Sequence, residues 1–329
     1  MLDNLPLISV IVPNYNHENY LKQRLEAIFN QTYQNFEVIL LDDCSTDNSK
    51  AILVEYAKNS KVTNCVFNIV NSGNTFKQWQ KGIDLAKGDF IWIAESDDFC
   101  DPNFLEKVSK PLFKNDEIVL SYCQSNRVNE NGSITGNWKD HTDPLDVKQF
   151  ESDFIMDGNL FIEKYLIYFN VIPNASAALL RKKNLKISDD LVSNTQLKSC
   201  GDWILYLQQI TNHQIAFIAE SLNSFRFHST SVIATAAKVE SRISIIEINL
   251  QMRKVMFSFL QKNKPENFTQ ITLNNKSTVR SLKYKKGIIL IQNNKKWKGT
   301  IVLLSVLNEF LLRYQFKKRL ILKLKKIIS

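Results

Sequence analysis

Apolar runs and helical stripes alternate along the first hundred residues. Leu7 to Val12 is an unbroken apolar run rich in β-formers, the pattern of a strand buried on both faces, and Pro13 ends it. Asn19 to Gln31 then sets Tyr20, Leu21, Leu25, Ile28 and Phe29 on one helical face. A second buried strand spans Phe36 to Leu41 and runs into Asp42-Asp43. Turn and capping residues follow, then a helix from Ser49 to Lys58. Val62 to Val70 is expected as a third strand and Phe76 to Ala86 as a helix stopped at Lys87-Gly88. Phe90 to Ala94 is a fourth strand, ending in Glu95-Ser96-Asp97-Asp98. Asp101-Pro102 reads as the N-cap and first position of the next helix.

This alternation predicts an α/β fold with a doubly wound, mostly parallel sheet. Ligands of such sheets sit outside the carboxyl ends of the strands. Asn14 to Asn16, Asp42-Asp43 and Glu95 to Asp98 should therefore meet at one crevice. Further on, Ile118 to Tyr122, Ala175 to Leu180 and Ile215 to Ala219 read as strands. Asn131-Gly132 reads as a hairpin turn, and Asp202 caps a helix over Trp203 to Gln209. From about Ser231 the chain turns helical, with breaks near Lys264-Pro265 and Gly299. The expected division is a catalytic domain over 1–230 and a basic helical extension over 231–329.

Charge sharpens that division. The net charge is +9, yet residues 271–329 hold 15 Lys and Arg against one acid, Glu309. The front of the chain is net acidic and is not a polyanion binder. Five scattered cysteines without a C-x-x-C pair suggest neither a disulfide framework nor a zinc site. The N-terminus shows no secretory signal, so a cytoplasmic setting is expected.

Three carboxylates within Glu95-Ser96-Asp97-Asp98 repel one another unless a cation neutralises them. Oxygen ligands at a strand end suit Mg²⁺ or Mn²⁺ bridging to a diphosphate. A solvated acidic turn is the plain alternative, and turn-forming acids are the plain alternative for Asp42 and Asp43. No glycine-rich phosphate cradle follows any strand, so a bound nucleotide would need a metal for its phosphates.

Ile8-Ser9-Val10-Ile11-Val12-Pro13-Asn14-Tyr15-Asn16 resembles the opening strand and loop of family 2 glycosyltransferases, which have the A-type glycosyltransferase fold. Val38 to Asp47 resembles their second strand and V-D-D-x-S-x-D turn. Asn71-Ser72-Gly73 and Ala86-Lys87-Gly88-Asp89-Phe90-Ile91 resemble the next conserved segments, and Glu95 to Asp98 is similar to the D-x-D-D. The resemblance implies an inverting transfer from a nucleotide-diphosphate sugar, UDP-linked, to a glycan or lipid-linked glycan of a cell-surface polysaccharide pathway. It implies that Pro13, Tyr15 and Asn16 frame the nucleoside and that Asp42, with Asp43 beside it, holds the base. Gly73 and Lys77 would complete the donor side. Glu95 and Ser96 would lie near the ribose, and Asp97 and Asp98 would bind the metal. Cys200-Gly201-Asp202-Trp203 resembles the segment that carries the catalytic base, making Asp202 the candidate. Phe225 to Ser229 resembles a Y-R-x-H segment, placing His228 near the diphosphate or metal.

The chain departs from the pattern in three places. Glu95 replaces the first Asp, Gly201 replaces the usual acid before the base, and Asn74 to Gln80 lacks the common A-R-N. A nucleotidyltransferase, or a non-catalytic nucleotide-sugar binder, remains an alternative at this stage. In the tail, Leu303, Leu304, Leu307, Phe310, Leu311 and Tyr314 share one face, followed by Arg313 and Lys317 to Lys326 interleaved with Leu and Ile. Such a basic helix can lie on an anionic inner membrane surface, peripherally; nucleic acid is not expected as a partner.

Overall fold

The computed structural model describes residues 5–197, 200–228 and 242–313. The first half follows the expected alternation: β1 (Ile8–Asn14), α1 (Glu18–Phe29), β2 (Phe36–Asp42), α2 (Ser49–Tyr56), β3 (Val62–Phe67), α3 (Thr75–Leu85) and β4 (Phe90–Ile93). These strands lie in the order β3-β2-β1-β4, all parallel. Every residue of β1 and β2 is buried. The reason is the period of two. Ile11, Ile39 and Leu41 face a core shared with Phe76, Trp79 and Ile83 of α3. Their neighbours Val10, Val12, Val38 and Leu40 face the opposite core with Leu21 and Leu25 of α1. Pro13 is tolerated in this central strand because pairing to β4 ends at Ile11 and Ile93.

The second half makes the sheet mixed. After β5 (Phe99–Cys100) and α4 (Phe104–Lys114), β6 runs over Ile118–Val128, well beyond the expected Tyr122, and hairpins onto β7 (Ile134–Asn137). Gly132 supplies the positive φ of 82° in that turn. α5 (Lys139–Asp146), β8 (Phe154–Asp157) and α6 (Gly158–Phe161) lead to β9 (Ala178–Arg181). β9 lies antiparallel between β4 and β6. α7 (Asp189–Ser193), α8 (Gly201–Ile210) and β10 (Gln214–Arg226) follow. β10 is parallel to β6 and extends far past the expected Ala219.

Two cap assignments are corrected. Asp101 does not cap α4; Asn103 does, and Asp101 Oδ1 accepts from the Asn103 N–H. Cys200, not Asp202, is the N-cap of α8, which puts Asp202 in its first turn.

The C-terminal part is helical: α9 (Arg242–Asn263), α10 (Phe268–Gln292), α11 (Lys296–Leu304) and α12 (Leu307–Arg313). The break at Lys264-Pro265 is where the sequence placed it. The next break falls at Asn293 to Lys295, with Asn294 at φ 59°, while Gly299 lies inside α11. Gly299 is there for packing: a Cβ would lie 2.7 Å from the Gly287 carbonyl on α10. The apolar stripe read as one face from Leu303 to Tyr314 is split by the turn at Ser305-Val306, and Tyr314 to Lys326 lie outside the described residues. Met252, Met256, Leu260 and Ile271 pack in the same core as Trp203 and Ile204 of α8. The expected boundary near residue 230 also lies outside the described residues.

Candidate active site

The carboxyl ends of β1, β2 and β4 meet, and side chains tie them together. Asn14 Nδ2 donates to Asp42 Oδ2 at 2.9 Å, and Ser45 Oγ donates to the same oxygen at 2.6 Å. Asn16 Oδ1 accepts from Thr46 N at 2.8 Å, while Asn16 N donates to Ser45 Oγ. Asn16 and Cys44 both sit at positive φ, 55° and 64°. Asp43 is turned into the scaffold, where Asn68, Ser72 and Gln78 all donate to it. Tyr15, Gly73 and Lys77 are exposed around this rim, and Pro13 is buried beneath it.

Beside it, the turn after β4 presents Asp97. His228 Nε2 lies 3.0 Å from Asp97 Oδ2. His17, from the loop after β1, joins them: one ligand atom from each of His17, Asp97 and His228 falls within 4.8 Å of the others. His17 Nδ1 is 2.8 Å from Ser96 Oγ, which leaves Nε2 for the cluster. Burial lowers the His17 pKa below its ordinary 6.5 and favours the neutral, ligating ring. Burial works to raise the Asp97 carboxyl, but the His228 hydrogen bond and the two neighbouring imidazoles outweigh it and hold it below the usual range.

Asp98 stands apart from this cluster. Its Oδ2 accepts from Asn174 Nδ2 at 2.6 Å and lies 3.8 Å from Arg24 Nη2, while its Oδ1 accepts from Arg226 N at 2.9 Å. Burial, then the charge of Asp97, pushes its pKa up to about 7. Arg226 binds the Asp97 carbonyl at 2.7 Å, Glu130 O at 2.7 Å and Gln23 Oε1 at 2.6 Å. It also stacks on Tyr20, with 4.7 Å from Cζ to the ring centroid. Glu95 Oε1 accepts from Trp79 Nε1 at 2.8 Å; burial and the neighbouring Asp97 raise its pKa to about 8. Without a cation, then, the three carboxylates of this turn do not all ionise at neutral pH. The donor set of two imidazoles and one ionised carboxylate fits a first-row divalent ion.

Asp202 lies in the first turn of α8, with Oδ2 3.0 Å from Asn170 Nδ2. Burial raises its pKa to about 6. The glycine before it has a steric cause. A Cβ at Gly201 would lie 2.3 Å from two atoms of the Phe76 ring. Phe76 belongs to the Asn74–Gln80 stretch, so two departures from the family pattern are one packing solution. Phe76 in turn stands edge-on to Trp79, the donor to Glu95.

Of the sequence-predicted residues, the structure brings Asp97 and His228 together and sets Asp42 and Asn16 in one cross-linked rim. Sequence reasoning missed His17, Arg24, Arg226 and Asn174. Only His17 carried a usable signal, since it follows Asn16 in a loop already expected to face the Glu95–Asp98 turn.

Residues 9–176 match the model of glycosyl transferase family 2. An uncharacterised glycosyltransferase of Haemophilus influenzae is 31% identical over 228 residues, covering 68% of this chain and 85% of that protein. A putative teichuronic acid biosynthesis glycosyltransferase of Bacillus subtilis, TuaG, is 34% identical over 102 residues, 31% of this chain and 40% of that protein. The crystal structure of S. aureus TarS residues 1–349 superposes with a TM-score of 0.63 at 20% identity, covering 92% of this chain and 80% of that one. Its complex with UDP-GlcNAc gives 0.58 at 17% identity, covering 85% and 80%. The fold is therefore the A-type glycosyltransferase fold, and the protein is an enzyme of the glycosyltransferase class. The chain belongs to glycosyl transferase family 2.

The Gly201–Phe76 contact yields a prediction. Gly201→Ala should lower stability by about 1–3 kcal/mol through overpacking. Gly201→Ala combined with Phe76→Leu should recover most of that loss. Denaturant melts of the two single variants and the double variant check it; additive losses would mean the two positions are not coupled.

Proposed function

We propose that this protein is an inverting, metal-assisted transferase that moves a sugar from a UDP-sugar to a glycan or lipid-linked glycan of a cell-surface polysaccharide. The observation that carries the reading is the His17, Asp97 and His228 cluster at the ends of β1, β4 and β10. TarS supports the choice of UDP-sugar, having been crystallised with UDP-GlcNAc. TuaG supports a polysaccharide acceptor by its name.

In this reading Pro13, Tyr15 and Asn16 frame the nucleoside, and Asp42 takes the base, with Asp43 bracing the turn. Gly73 and Lys77 edge the donor side, and Glu95 and Ser96 lie toward the ribose. Asp97, His228 and His17 hold the divalent ion, while Asp98 anchors their turn from within. Two imidazoles favour Mn²⁺ over Mg²⁺, which prefers oxygen ligands. The bound ion supplies positive charge against the leaving diphosphate. Asp202 accepts the proton of the acceptor hydroxyl as that oxygen forms a bond to the anomeric carbon from the face opposite the diphosphate. The bond from that carbon to the diphosphate oxygen breaks, the configuration inverts, and UDP leaves with the electron pair. Residues 1–230 are taken as the catalytic unit and 231–329 as its extension, whose described helices from Arg242 to Arg313 brace it through Met252, Met256, Leu260 and Ile271.

The partner surface follows from α11. Trp297, Ile301 and Leu304 project to solvent, Trp297 at 77% exposure, opposite the buried Gly299 and Leu303. Lys295, Lys296 and Lys298 flank this stripe and are exposed. We propose that it rests on an anionic lipid surface, with the basic residues beyond 314 adding charge. Among the described residues no helix is long and apolar enough to cross a membrane.

Three measurements test these assignments. Mn²⁺ titrated into protein with UDP, followed by electron paramagnetic resonance, should bind at least about tenfold more weakly in Asp97→Ala, His228→Ala and His17→Ala. Equal UDP affinity with and without metal in the wild type would sink the metal-bridged site.

The second measurement is the pH profile of turnover. A base with a pKa of about 6 is protonated below that value, so kcat should fall toward acid with a midpoint there. Asp202→Asn should lower kcat by about 10²–10⁴. The folded-state pKa lies above the ordinary 3.8, so the stability contribution of Asp202 is full below 3.8 and is lost as pH rises through about 6. Asp202→Asn should therefore melt higher than the wild type at pH 8.

The third is sedimentation with vesicles. The full chain should bind phosphatidylglycerol vesicles at low salt, less so phosphatidylcholine, and the triple variant Trp297→Ser, Ile301→Ser, Leu304→Ser should release. Unchanged binding in that variant, or self-association that the variant abolishes, would remove the lipid assignment.

A further inference from the structure

Arg253 of α9 is 2% exposed, and no carboxylate pairs with it among the described residues. Burial alone lowers its pKa to about 10. A buried cation without a counter-ion is expensive, and an apolar side chain of similar volume would stabilise the helix packing better. What Arg253 has instead is a set of neutral oxygens in fixed places. Nη1 donates to the Ile167 carbonyl at 2.6 Å and to Asn275 Oδ1 at 3.2 Å. Nη2 donates to the Tyr168 carbonyl at 3.2 Å, and Nε to Asn249 Oδ1 at 2.9 Å. The planar fork thus grips two successive carbonyls of one loop, a geometry a lysine cannot reproduce.

That loop reaches both ends of the active site. Just past the gripped carbonyls, Asn170 donates to Asp202 Oδ2 at 3.0 Å. Four residues on, Asn174 donates to Asp98 Oδ2 at 2.6 Å. The start of the loop is pinned as well, because Trp203 Nε1 donates to the Leu166 carbonyl at 2.7 Å. The guanidinium of Arg253 lies 5.5 Å from the Trp203 ring centroid, so the same cation touches both walls that hold Asp202.

We propose that Arg253 is a positioning residue for the transfer step: by holding the Ile167 and Tyr168 carbonyls it sets the Asn170 amide that orients Asp202. The C-terminal helices then serve the chemistry although they make no contact with Asp202 through Arg253 itself. This rests on the reading of Asp202 as the base.

The test reads the Asp202 carboxyl directly, by ¹³C NMR titration of the full chain labelled at aspartate, with the resonance assigned by its loss in Asp202→Asn. Cys200 and Tyr206 face Asp202 from α8, and Glu95 lies near Tyr206 on the far side; none of them changes in the variants. Loss of the Asn170 donor removes a bond that favours the charged form. Asn170→Ala should therefore move the midpoint upward by about one pH unit. Arg253→Lys, which keeps the charge and never touches Asp202, should move it in the same direction. A midpoint unchanged in Arg253→Lys, with only the melting temperature lowered, would overturn the proposal. Arg253→Gln is the second variant should the lysine fail to fold, with the same two outcomes. Turnover of a UDP-sugar by Asp202→Asn tests the base separately: wild-type turnover there would remove the base assignment while leaving the coupling of Arg253 to the carboxyl standing.

Discussion

The buried carboxyl of Asp98 is the constraint on which the rest of the site hangs. A carboxyl group 1% exposed needs polar partners on every side, and it draws them from three separate parts of the chain. Arg24 comes from α1, Asn174 from the loop before β9, and the Arg226 N–H from the end of β10. The β4 turn supplies the acid itself. Satisfying that single group therefore fixes how α1, β4 and β10 approach one another. Asp97 is presented outward as a consequence, with His228 two residues beyond Arg226.

Much of this was legible in the sequence and some was not, and the division has a physical basis. Strand interiors such as Leu7–Val12 and Phe36–Leu41 betray themselves by being apolar throughout, because helices cover both faces. Convergence of Asn14, Asp42 and Asp97 followed from topology alone. The ends of β6 and β10 did not show, because both strands continue through buried polar residues such as Gln124, Ser125, Asn223 and Ser224, with Asn223 Nδ2 donating across the strands to Ser125 Oγ. Asp97 and Asp98 were indistinguishable as neighbours in a D-D pair. The period of a turn sends one outward to the histidines and the other inward to two arginines. Likewise Arg253 looked like one more base in a basic tail. Nothing local separates a solvated arginine from one that grips carbonyls 85 and 86 residues earlier in the chain.

The helical extension is not an appendage in energetic terms. Met252, Met256, Leu260 and Ile271 bury themselves under α8, so the helix that carries Asp202 is sandwiched between the sheet and the C-terminal helices. A close-packed interior transmits displacement rather than absorbing it. The family match covers residues 9–176 and so takes in Asn170, the donor to Asp202, while α8 lies beyond it.

The cross-stitched rim has a thermodynamic corollary. Asn16 and Cys44 are held at positive φ by bonds between Asn16 and Ser45 and Thr46 and by the Ile69 carbonyl, so the two loops proposed to meet the nucleoside are already shaped before it arrives. The entropy of ordering them is spent once, during folding, and not again with every turnover. Nucleotide capture should thus resemble docking onto a rigid surface, with a small heat-capacity change.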